Sequence, residues 1–191
     1  NAGVITIQAW NSDMPYLKAI RDASVIFKDR DSLYTEYIKQ RKIYASSPSF
    51  YLDCASLFFE QKEKNYAIRI LSNLSELKLD DVALLRVYAW RLREAGELDL
   101  AIVILQKVAK IRPDEAVSFR DLALTYTLRA KRDHSAEDAE VALKYYKHVI
   151  ETPCPRRDAI YTAVVAIEEF NALAAWCDAQ NWNEHKPVMP E

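Results

Sequence analysis

The chain has 191 residues, half of them hydrophobic, with 26 Lys and Arg against 28 Asp and Glu, three cysteines and only two glycines. Gly3 and Gly96 lie too far apart to build a glycine-rich phosphate loop, and so few glycines argue against a run of tight β-hairpins. The near-balanced charge gives no reason to expect a polyanion partner, while the apolar half is enough to bury a core.

Asn1-Ala2 reads as an expression scar with no basic-then-apolar leader behind it, so the chain is expected to be a piece of a longer protein. Residues 1–13 are the scar and an extended lead-in, with 4–10 reading as the end of a strand. Residues 14–46 read as an N-terminal helix pair, 15–27 and 33–44, with Asp13 and Asp31 as candidate N-caps. The next helix has a clear start. Ser47 is the candidate N-cap and Pro48 sits at the first helical position, where its missing N–H costs nothing.

From here a 34-residue period runs along the chain. Ala55, Ala89 and Ala123 keep that step, as do Tyr51, Leu85 and Phe119, then Cys54, Tyr88 and Leu122, then Phe58, Leu92 and Tyr126. Within one unit these positions fall at i, i+3, i+4 and i+7, one face of an α-helix. A second helix follows, carrying Ala67 and Leu71 in one unit and Ala101 and Leu105 in the next. The units run 48–81, 82–115 and 116–155. In the second, Gly96 falls where a helix end must reach the left-handed region and Pro113 closes the unit. In the first, Lys62 stands in the glycine's place and Leu79 in the proline's. The third is expected to carry a seven-residue insertion, with Ala142 standing for the alanine due at 135 and Ser135 capping its second helix. Residues 156–180 read as two capping helices, 158–170 and 172–180, and 181–191 as a linker.

This pattern resembles the tetratricopeptide repeat, a family of 34-residue helix–turn–helix units. The resemblance implies an all-α fold, a right-handed superhelical stack of antiparallel helix pairs whose first helices line a concave face. Four stretches carry a narrower resemblance: Trp10 to Leu17, Ser47 to Asp53, Ala67 to Leu74 and Leu85 to Leu92. They are similar to the helical region of bacterial surface or envelope proteins that place an inter-alpha-trypsin (VIT) domain and a von Willebrand factor A domain before it. This second resemblance implies a connector in an exported multidomain protein. It brings no catalytic residue, because that family's metal-binding motif belongs to the von Willebrand domain.

By repeat register the concave face carries Leu52 and Phe59 in the first unit, Arg86, Trp90 and Arg93 in the second, and Arg120 and Leu124 in the third. Arg86 and Arg120 are equivalent positions, and Trp90 lies one turn from Arg86. Paired Arg beside Trp is the composition of a binding hot spot. Asp53 and Asp121 are close enough in register to pair with those arginines instead, which would make an internal ladder. The family's clamp for chaperone-tail carboxylates needs Lys and Asn at these sites, and both are missing.

Other chemistry is thin. His134, His148 and His185 are scattered, the pairs Asp80-Asp81 and Glu168-Glu169 read as helix ends or solvated faces, and no hydrolase or zinc motif appears. Cys54, Cys154 and Cys177 form no CxxC; Cys54 reads as core packing, and a Cys154–Cys177 bridge is left open. Lys28, Arg30, Lys39, Arg41 and Lys42 interleave with Tyr34, Tyr37 and Tyr44, but tyrosines at helical spacing are more often core than base-stacking platforms. The expectation is therefore a non-enzymatic interaction module without metal or cofactor. Its partners would be a protein or peptide, with no nucleic acid and no insertion in a membrane. The competing expectation is a spacer that docks its own flanking domains in a larger envelope protein.

Overall fold

The computed structural model describes residues 14–27, 30–77, 81–152 and 157–182. Among these, nine helices and no strand are found: α1 (Pro15–Phe27), α2 (Arg30–Tyr44), α3 (Pro48–Glu60), α4 (Lys64–Glu76), α5 (Val82–Glu94), α6 (Leu98–Ile111), α7 (Ala116–Asp133), α8 (Ala136–Glu151) and α9 (Arg157–Ala179). Helices α3, α5 and α7 start 34 residues apart, as do α4 and α6, so the period in the sequence is the period of the fold. The all-α class and the helix pairs are as expected. Asp13, the extended lead-in at 4–10 and Cys154 lie outside the described residues.

Local chemistry sets the helix ends. Ser47, Asp81 and Ser135 each hold an extended backbone and accept a hydrogen bond from the N–H three residues on, capping α3, α5 and α8. Each first helix then ends in one recurring turn. Lys62, Gly96 and His134 take positive φ of 62°, 78° and 51°, and the following N–H reaches back five residues, Glu63 to Phe58, Glu97 to Leu92 and Ser135 to Ala130. Three-residue or shorter connections of this kind leave the two helices of a pair antiparallel. Asn181 (φ 61°) and the Trp182 N–H to Cys177 oxygen bond close α9 in the same way. Residues 181 and 182 thus belong to a helix cap, where the sequence reading began the linker.

The chain divides into two compact units, Asn1–Leu79 and Asp80–Glu191. The first packs α1 on α2 and α3, and α3 on α4, around aromatic side chains. Tyr37 stacks on Phe50 with centroids 5.6 Å apart, and Tyr16 meets Phe50 edge-on at 5.1 Å. Tyr37 is fully buried, and Tyr34 stacks on Tyr66 at 4.5 Å, so these rings are occupied inside the protein. Asp31 lies within α2 rather than before it.

In the second unit α5 packs on α6, α6 on α7, α7 on α8, and α9 on both α7 and α8. Small residues permit the close crossings: Ala89, Ala101, Ala123, Ala139 and Ala142 are all buried. Two expectations are corrected here. The alanine equivalent to Ala101 is Ala139, and Leu105 corresponds to Leu143 and Gly96 to His134, each 38 residues on. The insertion is therefore four residues, not seven. Four residues are about one helical turn, so α7 grows to 18 residues without rotating its core face. The two expected capping helices are one: Ala166, Phe170, Leu173 and Cys177 form a single buried stripe along the 23-residue α9. The small propensity penalty of Asn171 does not break a helix packed along such a stripe.

By length and composition, Ile160–Ala179 is long and apolar enough to cross a membrane. Glu168 and Glu169 sit in its middle, and Glu169 is held by Arg120 from α7, which ties this helix to the stack.

Candidate functional site

The second unit contains a cavity of about 250 Å³ walled by Arg86, Val87, Ala89, Trp90 and Arg93 of α5, Leu105 of α6 and Asp121 of α7. Helical spacing explains the wall: residues 86, 89, 90 and 93 recur at i, i+3, i+4 and i+7, so one face of α5 supplies most of it. Ala89 and Leu105 form its apolar side and are buried. Trp90 lines it and is 44% exposed, with the Arg91 guanidinium 4.9 Å from its ring centre.

The charges around this cavity are sorted into paired and unpaired. Arg86 donates from Nη2 to Glu115 Oε2 and to Ser118 Oγ at 2.8 Å, which joins α5 to the start of α7. Its Nε is buried without a hydrogen-bond partner among the described residues. Arg120 grips Glu169 with two parallel bonds and is thereby held to α9. Asp121 pairs with neither arginine among the described residues, contrary to the register argument, and in the first unit Asp53 accepts a 2.6 Å bond from the Tyr16 hydroxyl. Asp121 forms no ion pair and its carboxylate accepts no hydrogen bond among the described residues. Burial raises its pKa above the ordinary carboxylate value, against the opposing pull of Arg93, Arg86 and Arg120. Arg93 is half-buried and likewise makes no ion pair or hydrogen bond among the described residues.

Of the residues singled out from the sequence, Arg86, Trp90 and Arg93 meet in this cavity, and Arg120 stands next to Asp121 on α7. Leu124 is half-buried on α7. Leu52 and Phe59 belong to the other unit, where Phe59 is half-buried and Leu52 is only 8% exposed, so Leu52 offers little to a partner. Asp121 and Glu169 were missed as site residues. Register points Asp121 to an internal ladder, and a break at 171 puts Glu169 at a helix end, whereas α9 runs unbroken through it.

Two histidines of the second unit have local structural surroundings. His134 serves as the left-handed cap of α7, and His148 packs edge-on to Phe119 at 4.5 Å. No cluster of three metal-ligating side chains exists among the described residues. A second, apolar cavity of about 430 Å³ lies between α7 and α8, lined by Phe119, Val141, Lys144, Tyr145 and His148.

No family model and no curated protein matches the chain. Among solved structures it is similar to the crystal structure of MamA protein, with a TM-score of 0.40, 16% identity, and coverage of 92% of this chain and 96% of that one.

Proposed function

We propose that the second unit is a non-catalytic protein-interaction module that receives a peptide segment of a partner at the α5–α7 cavity. The observation that carries this reading is the cavity itself: an exposed tryptophan, with an arginine and a carboxylate that make no ion pair among the described residues, on α5, which Arg86 joins to α7, and on α7, which Arg120 joins to α9. A rigid wall with unmet hydrogen-bonding groups suits binding, because little ordering entropy is lost on the protein side. Arg86 and Arg120 contribute by positioning, since their strongest donors are already engaged within the unit.

Panning a phage-displayed random dodecapeptide library on the whole chain tests this reading. Selected peptides are expected to bind at least tenfold more weakly to a Trp90→Ala/Arg93→Ala double variant that melts normally. Peptides that bind both proteins equally, or no enrichment at all, would overturn it.

A second reading has its own observation. Ile160, Tyr161, Val164 and Ile167 are 64%, 74%, 51% and 39% exposed along one side of α9. Such a stripe favours docking of a neighbouring domain of the same polypeptide, the spacer role in an exported bacterial protein. Expressing the chain with its natural flanking sequence should then slow hydrogen exchange in α9; unchanged exchange removes this alternative.

A further inference from the structure

Two charges on the cavity wall, Arg93 and Asp121, make no ion pair among the described residues. Glu115 takes Arg86 and Glu169 takes Arg120, so the cavity between α5 and α7 is left with one positive group, Arg93, and one negative group, Asp121. They share the cavity wall yet lie beyond ion-pairing distance of each other. Some accepting capacity and some donating capacity are thus unused in the same small space, which Trp90 also lines.

A ligand entering here is sorted by charge. A carboxylate suits Arg93 but meets Asp121, and an ammonium suits Asp121 but meets Arg93, Arg86 and Arg120. A zwitterion matches both, yet two full charges must leave water, and that desolvation offsets much of the attraction. A carboxamide has a donor and an acceptor side by side with no net charge. Its NH2 group can donate to Asp121 while its carbonyl oxygen accepts from Arg93. The apolar side formed by Ala89, Val87 and Leu105 would take the methylenes that carry it.

We propose that the cavity is a carboxamide-reading pocket, taking the side chain of an Asn or Gln of the partner segment between Asp121 and Arg93. The assignment rests on the interaction-module reading above and narrows it to a side-chain class. It also gives a role to the half-buried Asp121 carboxylate, which makes no ion pair among the described residues.

The test uses small probes in place of the unidentified partner. Propionamide, propionate, propylamine and alanine are titrated into the 15N-labelled chain, reading the Trp90 indole and Arg93 Nε–H signals. Propionamide is expected to shift both signals saturably in the millimolar range, at half-saturation at least fivefold below the other three. Asp121→Ala should abolish that shift, and Asp121→Asn, which keeps the shape, should weaken it at least threefold. Equal or tighter saturation by any charged probe overturns the proposal, as does the absence of any saturable shift. The peptide selection separates the two levels: peptides that need Trp90 and Arg93 but bind equally after every Asn and Gln is replaced by Ala defeat the amide assignment alone. If no peptide binds at this face, the broader reading fails with it.

Discussion

Arg120 and Glu169 are joined by two parallel hydrogen bonds, Nε to Oε2 at 2.9 Å and Nη2 to Oε1 at 2.6 Å, although 49 residues separate them. Both side chains are about three-quarters shielded from solvent, 26% and 22% exposed, so the pair links α7 to α9 where water screens it little. Arg120→Ala would leave the Glu169 carboxylate half-buried without its partner, at a cost of about 1–3 kcal/mol. Urea melts of the two single alanine variants and the double variant should show a coupling of at least ~1 kcal/mol. Additive losses would mean that the pair contributes nothing beyond its separate members.

Lys62 and Gly96 hold the same turn with very different ease. A residue with a Cβ in the left-handed region costs roughly 1–2 kcal/mol, whereas glycine enters it freely. Lys62→Gly is therefore expected to stabilise the chain by about 1 kcal/mol, and Gly96→Ala to destabilise it by a similar amount. Midpoints of urea unfolding decide the matter. A destabilised Lys62→Gly would show that the lysine side chain contributes more than its backbone costs.

Much of the architecture is legible in the sequence because it depends on local, periodic chemistry. The alanines at 55, 89 and 123, the Ser47-Pro48 start and the glycine turn at 96 are short-range signals, and each helix they imply is present. The insertion was misjudged because Ala139 and Ala142 are both buried small residues one turn apart, and sequence alone does not say which is the contact alanine. The ion pairs were illegible for a different reason. Arg86 and Arg120 are equivalent in register, but the first finds Glu115 at the start of α7 and the second finds Glu169 in the middle of α9. Equivalent positions acquire unequal partners where the repeat itself changes length. Asp121 is a site residue because the arginines its register offers are engaged by Glu115 and Glu169.

The carboxyl of Asp121 should make stability fall as pH rises. Burial raises its pKa in the folded chain, so over the window from the ordinary carboxylate value of about 3.9 up to that raised value the native state holds a proton that the unfolded state has lost. Below the window both states are protonated, and the penalty disappears. Asp121→Asn is accordingly expected to be more stable than the parent at neutral pH, with the gain shrinking as the pH is lowered through the window. Thermal melts across that range read it directly. A variant less stable than the parent at neutral pH would mean that Arg93, Arg86 and Arg120 together outweigh the burial.

Cys54 is fully buried in α3, and burial with the neighbouring Asp53 pushes its thiol well above the ordinary range. Native protein treated with iodoacetamide at mildly alkaline pH should leave Cys54 unmodified by peptide mass mapping, and unfolding in urea should expose it. Prompt native labelling of Cys54 would show that α3 opens far more often than a packed core helix does.

The most direct test of the central claim is where a selected peptide lands. Titrating the best peptide from the panning into 15N-labelled chain should concentrate the chemical-shift changes on α5 and α7, around Trp90, Arg93 and Asp121. Changes centred instead on Ile160, Tyr161 and Val164 of α9, or spread evenly over both units, would contradict a binding site in the α5–α7 cavity.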